Sequence, residues 1–385
     1  MHMLKKPLPS FVSHYSSTIR AVTVVRSSFI HFKGSHRRHW ASKIDMVSEC
    51  CEGIGHAHAE NVVQEEAAAG GFDPTLQGHI PEIVCKKYEK KANAAEDVPQ
   101  AEAAWDWFNS LGRPRYWVAP MVDQSELPFR LLCQRHGADA AYTPMLHARL
   151  FVEVPSYRAE HFTTCQEDRP VLAQFCANDP QVLLAAAKYV EPYVDGVDIN
   201  LGCPQRIAKK GRYGAYLMEN VPLIESMVRI LAENLGVPVT VKIRRFPGIQ
   251  DTIDYAARLE KAGASLVAIH GRLREQKKSR GNFACWETIA AVKASLRVPV
   301  LANGNVRDIQ DADMCMDITG ADGVMSAESL LQDPALFSSN RRTQGGRYKP
   351  TDGPSLLLEY CDLVDMYPTP YRMIQGHAFS LLGMK

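Results

Sequence analysis

Residues 237–270 read VPVTVKIRRFPGIQDTIDYAARLEKAGASLVAIH, and they hold one complete repeat of the pattern that organises the chain. Val239–Ile243 is a short apolar run of the kind that forms a buried strand. Thr252–Ala262 carries its apolar residues at helical spacing, and Gly263 stands just past it, where a C-terminal glycine belongs. Leu266–His270 is apolar again. The same beat extends in both directions. Strands are predicted at Tyr116–Ala119, Ala140–Thr143, Val171–Phe175, Gly196–Asn200, Val300–Asn303 and Gly323–Ser326. Helices are predicted at Pro180–Tyr189, Pro222–Leu235, Trp286–Ala294 and Ile309–Thr319, with Gly236 and Gly320 as further stops. Consecutive strand–helix units in this number fit a (β/α)8 TIM barrel, a fold of ~250 residues. An open doubly wound sheet is the other possibility, but it calls for a GxGxxG turn after its first strand. No such turn follows Tyr116–Ala119.

The flanks differ from this centre. Residues 1–43 hold eight Lys or Arg and no acid, a composition expected of an organellar transit peptide or a disordered tail. Residues 44–105 hold twelve acids against four lysines and read as a solvated linker, which places the start of the barrel domain at 106 and its end near 337. After it, Leu356–Tyr367 and Ile374–Leu382 look like the start of a small all-α domain that is cut short at Lys385. No apolar run is long enough for a membrane span. The ten cysteines include no CxxC pair, so neither a zinc ribbon nor a disulfide scaffold is expected, and no metal. If residues 1–43 are a transit peptide the compartment is a plastid or mitochondrion, and otherwise the cytoplasm.

In a barrel of this type the reactive groups gather at the C-terminal strand ends. Here those ends are polar: Gln174, Asn200, Lys242, His270, Asn303 and the Ala327-Glu328 pair. Their placement suits a flavin. The Gln174 amide can meet the pyrimidine edge, and Lys242 offers a cation where the reduced ring is anionic. Asn303, Gly304, Asn305, Ala327 and Glu328 follow the last two strands, where this fold binds phosphate. Cys203 lies between Gly202 and Pro204 on a tight turn. Lys209, Lys210 and Arg212 follow closely, which is expected to favour its thiolate. A thiol with a pKa near ~8.5 also suits a proton donor at neutral pH.

Charge is segregated as well. The whole chain nets +1, yet the loops after three strands hold Arg206, Lys209, Lys210, Arg212, Lys242, Arg244, Arg245, Arg272, Arg274, Lys277, Lys278 and Arg280 against Glu275 alone. A rim this basic reads as a polyanion surface, RNA or DNA, with Lys209, Lys210, Arg212, Arg244 and Arg272 as its candidate contacts.

Six motifs then fall in order: Ala119-Pro120-Met121-Val122-Asp123, Leu201-Gly202-Cys203-Pro204-Gln205, Val241-Lys242-Ile243-Arg244, Ile269-His270-Gly271-Arg272, Ala302-Asn303-Gly304-Asn305 and Met325-Ser326-Ala327-Glu328. Together they resemble the tRNA-dihydrouridine synthases. The stretch from Cys203 to Ala215 resembles the eukaryotic branch that modifies D-loop positions 16 and 17. The resemblance implies FMN as cofactor, NADPH or NADH as reductant, and a uridine of tRNA as substrate. It implies that Pro120, Met121 and Val122 pack the flavin, and that Gln174, Lys242 and His270 bond its ring or ribityl region. By the same resemblance Cys203 protonates C5 of the uracil while hydride arrives at C6. Ser329 departs from the glycine that the family often carries after its Ala-Glu pair. Two further readings stay open on the residues alone: an FMN barrel reductase of a free small molecule, similar to dihydroorotate dehydrogenase, and an RNA-binding barrel without catalysis.

Overall fold

The computed structural model describes residues 100–277, 281–339 and 353–383. The basic stretch 1–43, the acidic stretch up to 99, and the rim residues Lys278 and Arg280 lie outside the described residues. The first described element is helix α1 (Gln100–Ser110), so the last six residues of the expected linker are helical. The reason is anchoring. Gln100 Nε2 donates to the carbonyls of Glu260 and Ala264, and Trp105 Nε1 to that of Arg297.

Among the described residues nine strands follow: β1 (Tyr116–Val118), β2 (Ala140–Tyr142), β3 (Leu146–His147), β4 (Val171–Cys176), β5 (Gly196–Leu201), β6 (Val239–Arg244), β7 (Leu266–His270), β8 (Val300–Asn303) and β9 (Gly323–Ser326). Their order is β2-β1-β9-β8-β7-β6-β5-β4-β3, and a β2–β4 pairing closes the ring. Every pairing is parallel. Eight strands therefore form a closed barrel, and the (β/α)8 expectation is met. The two-residue β3, absent from the sequence reading, extends the edge beside β4 and is too short to leave a periodic signal.

Helices wrap the outside, among them α2 (Leu127–Arg135), α3 (Ala148–Glu153), α4 (Pro155–His161), α5 (Pro180–Val190), α6 (Arg206–Gly211), α7 (Val221–Asn234), α8 (Ile249–Ala262), α9 (Trp286–Ser295), α10 (Ile309–Thr319) and α11 (Glu328–Gln332). Asp179 and Asp308 cap α5 and α10 by accepting from first-turn amides. Gly263 and Gly320 stop α8 and α10 with positive φ, as expected. Gly236 does not: α7 already ends at Asn234, and Leu235 after it is extended.

The N-terminal end of the barrel is closed by α1. Trp107 and Phe108 insert among Trp117, Leu172, Leu266 and Leu301, and Trp107 Nε1 donates to the Asp195 carbonyl at 2.9 Å. Gly196 lies beneath Trp107, and a Cβ there would crowd the Leu172 side chain at 3.0 Å and the Pro238 carbonyl at 3.1 Å. Burying side chains of this kind contributes about 1.5–3 kcal/mol each.

The last two helices, α12 (Gly353–Met366) and α13 (Tyr371–Leu381), pack against the barrel's own elements. Tyr360 donates to Glu126 at 2.7 Å, His377 stacks on Phe129 and reaches the same carboxylate, and Arg372 pairs with both Asp123 and Glu160. Burial would raise the Glu126 carboxyl, but His377 and Tyr360 outweigh it and hold it below its ordinary value. No helix among the described residues is long and apolar enough to cross a membrane.

Candidate active site

Parallel register decides which side chains share the C-terminal mouth. Gln174 on β4 lies beside Asp198 on β5, and Asn200 on β5 beside Lys242 on β6. His270 on β7 lies beside Asn303 on β8. Residues two apart on one strand face the same way, so Asp198 and Asn200 point inward together.

A continuous chain of hydrogen bonds results. Thr240 Oγ1 donates to Asp198 Oδ1 at 2.6 Å, and Gln174 Nε2 to Asp198 Oδ2 at 2.8 Å. Asn200 Nδ2 donates to Gln174 Oε1 at 2.7 Å. Asn200 Oδ1 in turn accepts from the amides of Cys203 at 2.9 Å and Gly202 at 3.2 Å. Burial pushes the Asp198 carboxyl up to about 7, against the pull of Thr240, Gln174 and Lys242.

Cys203 itself is half-buried on the turn after β5. Gly214 packs behind it with φ +63, where a Cβ would come within 2.9 Å of the cysteine Cβ. The expected thiolate bias is not what this setting gives. Burial lifts the thiol above its ordinary value, and the opposing groups are the Gln205 amide, Arg244 and Lys242 rather than the lysines of α6. The group is thereby kept protonated at neutral pH.

Beside it Lys242 Nζ donates to Asn303 Oδ1 at 3.0 Å, its single hydrogen-bond acceptor among the described residues. Burial and the nearby Arg244 lower its pKa to about 8. Asn303 Nδ2 donates to the Met325 carbonyl, which fixes its oxygen toward the lysine. His270 is held neutral by burial and by the cations Lys242, Arg244 and Arg272. Because Arg272 Nη1 donates to His270 Nε2, the ring proton sits on Nδ1.

Gly304 and Asn305 follow Asn303 with φ of +113° and +65°. Their backbone amides meet no acceptor among the described residues. Adjacent amides in this conformation form an anion cradle. A Cβ at 304 would strike Ala284 at 2.7 Å and His270 at 3.0 Å, so only glycine fits. The Asn305 side chain serves the neighbouring loop instead, accepting from Arg272 and the Ala284 amide and so holding the segment after β7. Ala327 and Glu328 stand at the head of α11 on the adjoining strand end. Pro120, Met121 and Val122 form the loop after β1, and Val122 is 56% exposed at this mouth. A half-buried ammonium with donors to spare, a neutral imidazole, an exposed apolar loop and an amide cradle fit a planar heteroaromatic that carries a phosphate.

The basic rim divides in two. Arg206, Lys209, Lys210 and Arg212 are exposed on and after α6, with no partner among the described residues. Arg244 is buried and Arg272 half-buried, and the side chains of both are engaged within the protein. Arg244 Nε donates to the Gly202 carbonyl at 2.8 Å and Nη1 to those of Leu273 and Gln276. Arg272 binds the Asn282 carbonyl, His270 and Asn305. Arg274 pairs with Glu219 at 2.6 Å and lies over the Tyr216 ring. These arginines rivet loops to one another, and their charge reaches the mouth as potential.

Sequence reasoning missed Asp198 and Thr240, and it left Asn200 without a role. The signal was present: Asp198 and Asn200 alternate along an apolar strand, which places two polar side chains in the barrel interior. Among the described residues no group of three or more His, Cys, Asp or Glu is placed to hold a metal ion.

Residues 117–367 match the family model described as dihydrouridine synthase. The chain is similar to a Rattus norvegicus protein named tRNA-dihydrouridine(16/17) synthase [NAD(P)(+)]-like, 48% identical over 286 residues, with 74% of this chain and 63% of the relative covered. It is also similar to the Schizosaccharomyces pombe tRNA-dihydrouridine(16/17) synthase [NAD(P)(+)], at 46% identity, covering 72% of this chain and 71% of that one. A Homo sapiens tRNA-dihydrouridine(20a/20b) synthase [NAD(P)+]-like protein is 36% identical, covering 69% and 80%. The chain spans 63% and 58% of the length of the rat and mouse relatives.

Proposed function

The chain belongs to the dihydrouridine synthase family, and on that premise we propose that it reduces the C5–C6 double bond of a uridine in the tRNA D-loop, at position 16 or 17. The greater identity to the 16/17 relatives than to the 20a/20b relatives supports that choice of position. When bound, FMN reduced by NADPH or NADH supplies the hydride for C6.

The chain's own residues do the rest. Cys203 gives its proton to C5, and the burial that lifts its pKa keeps that proton available. Asn200 holds the cysteine turn by both of its amides. Lys242, steadied by Asn303, presents a cation to the polar edge of the ring, and the amides of Gly304 and Asn305 receive the phosphate. Lys209, Lys210 and Arg212 take up RNA phosphates beside the mouth, and the target base leaves its stack to reach the thiol.

The observation that carries this reading is a half-buried thiol on a hydrogen-bonded turn, near a half-buried lysine at the C-terminal end of a parallel barrel. Mass-spectrometric mapping of dihydrouridine tests it. Unmodified tRNA incubated with the protein, FMN and NADPH should gain dihydrouridine at 16 or 17. Gain at another position would move the substrate, and no gain at any uridine would reject the activity.

A further inference from the structure

We infer that Asp198 is a positioning residue for Cys203: it sets the donor–acceptor direction of the side-chain chain that ends on the cysteine turn. The inference rests on the proposed role of Cys203 as proton donor. Its argument is the chemistry of the two ends. An ionised carboxylate only accepts hydrogen bonds, and the peptide amides of Gly202 and Cys203 only donate. Between them stand two primary amides, each with one accepting and one donating end. With Asp198 accepting from Gln174, the Gln174 oxygen must face Asn200. The Asn200 nitrogen is thereby engaged, and its oxygen must face the turn. One charge, 0% exposed and five residues before the thiol, fixes both amides. Lys242 and Tyr142 are the titratable groups that act on Asp198 or stand beside it, and the Tyr142 hydroxyl adjoins Thr240.

Thr240 gives the means of testing direction rather than packing. In Asp198→Asn the new amide nitrogen can point at the Thr240 hydroxyl, which can accept, so the native order survives. With Thr240→Val added, that nitrogen loses the hydroxyl that accepted from it, and Gln174 is the remaining hydrogen-bonded side chain at the carboxylate's position. Gln174 and Asn200 then reverse, and Asn200 presents donors to donors at Gly202 and Cys203.

The experiment uses the full chain at pH 8, above the value near 7 to which Asp198 is lifted. Two rates are followed in the parent, D198N, T240V, D198N/T240V and D198N/T240S chains: reoxidation of the reduced flavoprotein by unmodified tRNA, and site-resolved alkylation of Cys203 by iodoacetamide. Reoxidation in D198N/T240V should be slower by about tenfold than the product of the two single losses, the scale of one misdirected hydrogen bond. Cys203 should be alkylated faster as its turn loosens, and D198N/T240S, which keeps a hydroxyl, should recover both. Losses that simply multiply, or no recovery with serine, overturn the inference. If the parent itself is not reoxidised by tRNA, the proposed function fails, while the alkylation cycle still decides the positioning. Should D198N/T240V not fold, amide exchange in D198N/T240A, which also lacks the hydroxyl, is decisive against D198N. Gly202 and Cys203 should exchange several-fold faster with Val197 and Ile199 unchanged, and unchanged exchange at all four sites would contradict the inference.

Discussion

The two ends of one barrel are built from different materials. At the N-terminal end Trp107, Phe108, Trp117 and Leu172 fill the interior, and the few polar atoms there meet backbone carbonyls. At the C-terminal end the interior holds Gln174, Asp198, Asn200, Lys242 and Asn303, bonded side chain to side chain. The same strands pass from one to the other within a few residues. What differs is who benefits from order. A dry aromatic plug stabilises the fold, whereas a buried carboxyl such as Asp198 costs stability and serves a site.

Removing the plug gives the largest stability effect. Trp107→Ala should cost about 3–5 kcal/mol, read by urea denaturation. At a temperature where it stays folded, its flavin content should equal the parent's. A variant that unfolds no earlier, or that loses flavin while fully folded, would erase the contrast between the ends.

The mouth should show its cost in pH. Asp198 has a folded pKa near 7, above that of a free aspartate, so the native state holds its proton more tightly. Its contribution to stability is complete below the unfolded value of ~3.9 and is lost as pH rises through about 7, on the order of 4 kcal/mol in all. Lys242, lowered to about 8, acts in a separate window at higher pH. Asp198→Asn should therefore flatten the fall in melting temperature between pH 5 and pH 8. A parent whose stability rises across that range would contradict the buried carboxylate.

At the cradle, Gly304→Val must strain a positive-φ position and push on Ala284 and His270, at about 1–3 kcal/mol. Flavin fluorescence titration should show weakened binding. Full affinity in that variant would move the phosphate elsewhere.

The rim is expected to matter least for stability. Changing Lys209, Lys210 and Arg212 to Ser should leave unfolding within ~0.5 kcal/mol, as exposed substitutions do. It should reduce the slope of log affinity for tRNA against log salt by about 0.9 for each phosphate no longer neutralised. An unchanged slope would remove these residues from the RNA surface.

The same contrast explains what the sequence made legible. Strand runs such as Leu266–His270 and Val300–Asn303 are recovered to the residue, because burial on both faces of a parallel strand leaves an unbroken apolar signal. Lys242, His270, Asn303 and Cys203 stood out as polar or reactive residues at strand ends. The roles of Arg244 and Arg272 did not, because their acceptors are groups that only the closed barrel brings near, such as the Gly202 carbonyl for Arg244 and Asn305 Oδ1 for Arg272. Charge in sequence counts cations but not the carbonyls that engage them. The sign of the Cys203 shift was hidden for a similar reason: adjacent lysines are visible in sequence, and burial is not.

The central claim is that Cys203 donates the proton, and stopped-flow absorbance of the flavin band in Cys203→Ala tests it on one sample. NADPH should bleach the flavin at close to the parent rate, since that step needs no acid at uracil. Reoxidation by unmodified tRNA should slow by about 10²–10⁴-fold, the range for loss of a general acid. Reoxidation as fast as the parent's would contradict the account and pass the role to another group.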